Sequence, residues 1–473
     1  MRPVEGMHLA YAPQCSAVAP GIGFDAAKVS LPGDAVFVVA LRFLSLAPGR
    51  IGDHRLQRNR APIMTPAGFS TDAVPVAPRY FIVFLGALIA LGPLTMDAYL
   101  PAMPTMAQAF DVSIVTINYT ISIYLIGFGI GQFFGGAISD QVGRKTVGLY
   151  GLGLYVLASL GIANAGSIEV VLALRVLQAI GGGAATVISL AAIRDVYTPA
   201  EAGQKFAAVM LIMLIAPLVA PVAGAFLLSF SWRAVFAGLV VYGLLLIAWY
   251  GLRIPETRAG QRTPVSILST FVQCFEVVNR RIGERRVPVR YAIAMATAAA
   301  VLMIFLTNAS FLYIEHFGYS PNAFPLFFGA TALSLMAANL TSMKLLGKKD
   351  ARKLFRLGCA VQWTSIALLL AATLLGRASV AVVVPLLMLG VGSVGLINPT
   401  GNAVYMGYFK RLSGSAASVF TTSLFFIGSA LGALTGVFFD GSLVPMAAMM
   451  FVATTISNLL AHSVYREPMP TRA

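Results

Sequence analysis

The chain has 473 residues, 58% of them hydrophobic and 11% charged, with a formal net charge of +15 and a mean hydropathy of +0.82. A soluble domain of this length is not so apolar, which points to a membrane protein. The positive charge carries no nucleic-acid meaning, because it sits in short loops suited to an anionic leaflet.

Residues 1–79 are rich in Pro, Gly and Ala, with one short apolar run, Ala35 to Ala47, interrupted by Arg42. That run is too short to span a bilayer and lacks the flanks of a secretory signal, so the arm is expected to be disordered. Met64 opens a short leader into the first apolar stretch, and the biological start is expected there, with residues 1–63 dispensable. From Tyr80 on, apolar stretches follow at about 80–100, 114–138, 146–165, 168–192, 205–229, 233–252, 290–314, 322–346, 354–376, 379–409, 413–438 and 442–464. At about 1.5 Å per residue, most can cross a hydrocarbon core of about 30 Å as helices. Thirty of the 33 Lys and Arg residues fall on one side of them. Basic loops stay in the cytoplasm, so both termini are expected inside. A basic linker over 253–289 divides two six-span blocks, 80–252 and 290–464, and a tail follows from 465; within the linker, 266–278 has the pattern of an amphipathic surface helix.

Two charges lie deep in spans. Asp97 stands about sixteen residues, roughly 24 Å, into the first span, and Arg175 about eight residues, roughly 12 Å, below the far end of the fourth. Burying Arg at that depth costs ~2.5–3.5 kcal/mol on insertion scales, so each charge is expected to face a wet interior. The competing readings are an Arg that snorkels to the headgroups and an Asp at a solvated helix end. Gln178, three residues after Arg175, shares its helix face and is a candidate substrate contact. In the turn between the second and third spans, Gly136, Asp140, Gly143, Arg144 and Lys145 form a charged gating loop, and Asp195 is placed to pair with Arg144. A carboxylate there can neutralise the positive end of another helix, and Asp140 is expected near Ser413–Gly414 in an outward-open state. Pro217, Pro221 and Gly224 interrupt the fifth span, and Gly428 to Gly436 the eleventh. Tyr124, Asn308 and Asn398 are candidate cavity residues, with Phe128 and Phe425 as apolar surface.

The run from Gly136 to Lys145 resembles the signature loop of the major facilitator superfamily, with Gln141 where that loop usually has Arg. Leu172 to Ala179, centred on Arg175, is similar to the fourth-helix motif of its proton antiporters. Ala216 to Gly224, Leu94 to Pro104 and Ala192 to Tyr197 resemble the bicyclomycin- and chloramphenicol-resistance branch. The resemblance covers most of 80–460. It implies an all-α fold of twelve transmembrane helices in two pseudo-symmetric six-helix bundles, monomeric, in the bacterial inner membrane. It further implies drug export driven by proton influx, with Asp97 and Arg175 coupling proton to substrate in one cavity. Export of a native metabolite is the alternative within this class. A polytopic enzyme or scaffold is the alternative outside it, but His8, His54, His316 and His462 are scattered and no His-Glu-x-x-His occurs. No phosphate-binding loop precedes a strand, which disfavours an ATP-driven pump. No cofactor and no metal site are expected, and Cys15, Cys274 and Cys359 lie far apart, in or beside inner segments where thiols stay reduced, so no disulfide is expected.

Overall fold

In a computed structural model, residues 80–258, 267–282, 284–409 and 412–465 are described. The arm with its expected start at Met64, and the tail from 466, lie outside them. Twelve helices among the described residues are long and apolar enough to span a membrane: Phe81–Phe110, Ile114–Val142, Arg144–Ala163, Ile168–Val196, Glu201–Leu228, Trp232–Arg253, Val287–His316, Phe324–Leu345, Ala351–Leu374, Val380–Gly407, Gly414–Val437 and Val444–Tyr465. Helix is what such sequences must form in hydrocarbon, where every backbone N–H and C=O has to be satisfied within the segment. Large apolar side chains are left outward, with Tyr150 at 79% and Leu157 at 68% exposure, as lipid rather than water requires.

The packing repeats. In the first half, span one packs on five, two on four, three on four and three on six; in the second, seven packs on eleven, eight on ten, nine on ten and nine on twelve. Adding six to each member of the first set gives the second set. The seam obeys the same rule, since span two meets eleven and span five meets eight. Both equivalent turns carry a glycine in the left-handed region, Gly143 (φ 115°) and Gly347 (φ 91°), each followed by two basic residues. A side chain there would be strained, so the tight turn needs glycine.

Four spans differ from the sequence expectation. The first span does not end near residue 100: a helix Phe81–Asp97 is followed by a short turn, Leu100–Ala102, and a further helix, Met103–Phe110. Pro101 and Pro104 sit at the starts of these pieces, where a missing N–H costs little. The fifth span is a continuous helix, Pro199–Leu228, despite Pro217 and Pro221, and the eleventh is continuous over Ser413–Val437. Their glycines serve close packing: Gly224 lies against the backbone of Ala98, and Gly436 against Val115 and Tyr119. The break falls in the tenth span, at Ser393 between Val380–Gly392 and Val394–Gly407. In the linker, a helix over Ile267–Asn279 coincides with the expected amphipathic stretch.

Candidate functional site

Arg175 is completely buried within the first half. Its guanidinium lies 3.9 Å from the centroid of the Tyr99 ring, 5.0 Å from that of Phe236 and 5.4 Å from that of Tyr124. A cation on an aromatic face gains about 2 kcal/mol or more when desolvated, which offsets part of the burial cost. Nη1 donates to Gln178 Oε1 at 2.9 Å, and Gln178 Nε2 donates to Ser159 Oγ at 2.8 Å. Nε and Nη2 have no hydrogen-bond partner among the described residues. Snorkelling is therefore not what this side chain does. It points into the bundle with donors to spare.

Asp97 is the last residue of its helix and is 3% exposed, and the chain runs on through Leu100–Ala102 into a further helix. It is not a solvated helix end. Nor does it form an ion pair with Arg175: the described ion pairs involve other residues, and Tyr99, two residues further on, covers the guanidinium face. Nearby, Tyr99 Oη and Thr120 Oγ1 lie 2.8 Å apart, and Thr95 Oγ1 and Tyr155 Oη 2.7 Å apart. The first half thus buries a carboxylate and a cation that are held separately.

Tyr124 stacks on Phe128 at 5.7 Å, and Phe128 meets Phe425 of the second half at 5.5 Å. Asn118 Oδ1, Ser122 Oγ and Tyr124 Oη, all on the second span, are buried without partners among the described residues. Asn308 donates to Thr435 Oγ1 at 3.0 Å, on the eleventh span that packs against the second. Arg175, Gln178 and Tyr124 are thus brought together, and Asn308 stands at the seam. Gln178 is not open to substrate, since both ends of its amide are used. Asn398 is apart, on the tenth span with Asn402, packed on spans seven, eight and nine. Sequence reasoning missed Tyr99, Phe236, Asn118 and Ser122: aromatic and hydroxyl side chains in apolar spans carry no spacing signal.

At the arginine-rich end, Arg144 pairs with Asp140 at 2.7 Å and Asp195 at 3.0 Å, and donates to Ser139 Oγ at 2.6 Å. The Arg144–Asp195 pair is as the spacing suggests. Arg258 holds Asp140 from the other side at 2.7 Å. The carboxylate at a helix start is Glu256, which accepts from the backbone N–H groups of Arg144 and Lys145 at 2.9 Å each. Asp140, expected in an outward-open state near Ser413–Gly414, is here engaged by Arg144 and Arg258. Cys274 is half-buried, which pushes its thiol up, and Cys359 is buried.

The description "Major Facilitator Superfamily" matches residues 83–433. The chain belongs to the major facilitator superfamily. It is 28% identical over 382 residues to a "bicyclomycin resistance protein homolog" of Haemophilus influenzae, covering 80% of this chain and 94% of that one. It is 29% identical over 344 residues to a "chloramphenicol resistance protein" of Pseudomonas aeruginosa, covering 72% and 79%. The solved D-xylose-proton symporter shares the fold with a TM-score of 0.65 at 14% identity, over 83% of this chain and 99% of that one. This is a multi-pass inner-membrane transporter of small molecules, in a superfamily whose members are generally not enzymes.

Proposed function

We propose that this transporter exports small, partly apolar compounds in exchange for protons, as a monomer, by alternating access of two bundles, 80–252 and 290–464, joined by the linker. The carrying observation is that one half buries both a carboxylate, Asp97, with no ion-pair partner among the described residues, and a cation, Arg175, with unused donors. Protonating that carboxylate from outside removes a charge from the interior, and so changes the energy gap between outward and inward states. The aromatic seam of Tyr124, Phe128 and Phe425 favours a partly apolar cargo over a sugar. The names of the relatives point the same way.

With the basic turns taken as cytoplasmic, we read the arrangement as inward-facing. Close contacts between the halves, such as Ser310 Oγ donating to Leu100 O at 2.9 Å and Gly436 against Tyr119, are at the opposite, outer end. The test is Asp97→Asn in everted vesicles with a panel of candidate drugs. Binding should persist while export ceases to respond to a pH gradient. Wild-type export with unchanged pH response would remove Asp97 from the coupling role.

A further inference from the structure

The linker helix Ile267–Asn279 has two faces that the transport cycle leaves unexplained. Toward the protein, Val277 is buried with Tyr291 and Ala292 of the seventh span, and Ser415 Oγ at the start of the eleventh donates to Gln273 Oε1 at 2.8 Å. The helix is thus seated on the second half. Outward, Phe271, Val272 and Phe275 are 47%, 60% and 71% exposed. They sit at positions i, i+1 and i+4, one stripe of a helix. Phe271 also reaches the first half, 5.4 Å from Phe133 and 6.1 Å from Phe134.

At the carboxyl end of that stripe a surface crevice is lined by Val272, Phe275, Glu276, Asn279, Arg280 and Arg281. A tight turn follows, closed by Ile282 N–H donating to Arg285 O at 2.8 Å. Glu276 is the acid in the crevice lining, so the crevice carries two guanidiniums against one carboxylate. An apolar stripe running into a basic crevice at the membrane edge has the chemistry of a lipid: tails along the stripe, phosphate at the cations. The exposed phenylalanines exclude water-soluble anions as the better fit, because a free phosphate would leave them bare.

We propose that this crevice binds an anionic phospholipid, its headgroup phosphate held by Arg280 and Arg281 and one acyl chain laid along Val272 and Phe275. The bound lipid extends a helix that is fixed to one half and touches the other, and so bears on the contact between the halves. The site depends on neither the direction of transport nor proton coupling.

The full chain, purified in detergent, is titrated with phosphatidylglycerol or phosphatidylcholine, and retained lipid is counted by native mass spectrometry. Wild type should retain phosphatidylglycerol in preference. The double variant Arg280→Gln/Arg281→Gln should weaken that retention roughly tenfold or more, at about 1 kcal/mol for each Arg near an anionic headgroup, and leave phosphatidylcholine unchanged. Val272→Ser/Phe275→Ser should weaken both lipids. All four residues are exposed, so the variants should elute as wild type does. A nitroxide at position 272, in reconstituted vesicles of the full chain, should be shielded from water-soluble relaxation agents. Equal retention of the two lipids by wild type, unchanged retention in the arginine variant, displacement of the lipid by inorganic phosphate alone, or a water-exposed label at 272 would each overturn the proposal.

Discussion

The two halves share one packing scheme and differ in what they bury. Spans one to six enclose Asp97, Arg144 and Arg175; among the described residues, spans seven to twelve bury hydroxyls and amides such as Thr307, Asn308 and Gln362, but no charged side chain. Since one scheme holds both together, the bundle does not need the charges to fold. An ion taken into such an interior costs several kcal/mol before compensation. The first half carries that cost and the second does not. Under the proposed exchange, energy coupling belongs to the first half and the second shapes the passage for cargo.

The strongest attack on this division is Arg175→Lys. The charge stays, but the flat face on Tyr99 and the fork toward Gln178 are lost, and ammonium is the more strongly hydrated ion. Export driven by a pH gradient should fall at least tenfold, by about 1.4 kcal/mol or more in the rate-limiting barrier, and thermal stability in detergent should drop. Retained coupling would mean that charge alone matters and that the ring cage is only packing. A step smaller is Asp140→Asn. Each exposed ion pair of Asp140 is worth ~0–1 kcal/mol, so the fold should survive. Turnover should slow by severalfold while drug binding persists, because Arg144 and Arg258 lose the carboxylate that joins them. In the second half, Asn308→Leu should raise the apparent KM for some substrates by a few fold, through loss of one hydrogen bond of about 1 kcal/mol to Thr435. Its pH response should match wild type. A changed pH response there would break the division between halves.

The fold was legible because its signals are long: each span is an extended, mostly apolar run, and basic turns punctuate them on one side. Arg175 and Asp97 were legible for a related reason, since a charge inside hydrocarbon stands out from its neighbours. What they touch was not. Tyr99 looks like any aromatic near a helix end, and nothing in the spacing says that its ring rather than the Asp97 carboxylate covers the guanidinium. Pro101 reads as a stop, yet the chain re-enters helix at Met103, and Asp97 is buried rather than left at a solvated end. The glycines of the fifth and eleventh spans read as breaks because their closeness to Ala98 or Val115 depends on a partner helix far away in sequence. Asn118 and Ser122 became visible only as buried atoms without partners.

Glu256 sharpens the same comparison at the turns. The third span begins at Gly143, which has no side chain to cap it, and Glu256 supplies both oxygens to the first two N–H groups from beyond the end of the sixth span. The equivalent ninth span is capped locally, by Asp350 accepting from Arg352 N–H at 2.9 Å. Glu256→Gln keeps one acceptor oxygen but removes the charge that the helix start favours, so the expected loss is ~0.3–1 kcal/mol. Asp350→Asn should cost a similar amount or less, since Asn caps nearly as well. The two differ in reach. Only Glu256 joins the third span to the segment that follows the sixth, where Arg258 N–H also donates to it at 3.2 Å. Glu256→Gln should therefore raise protease cleavage in 253–262 as well as lower the melting temperature, and added salt should narrow its gap to wild type. Asp350→Asn should leave cleavage in that segment unchanged. If both variants melt alike and neither changes cleavage, the long-range cap is only a local one, and the turns of the two halves are equivalent after all.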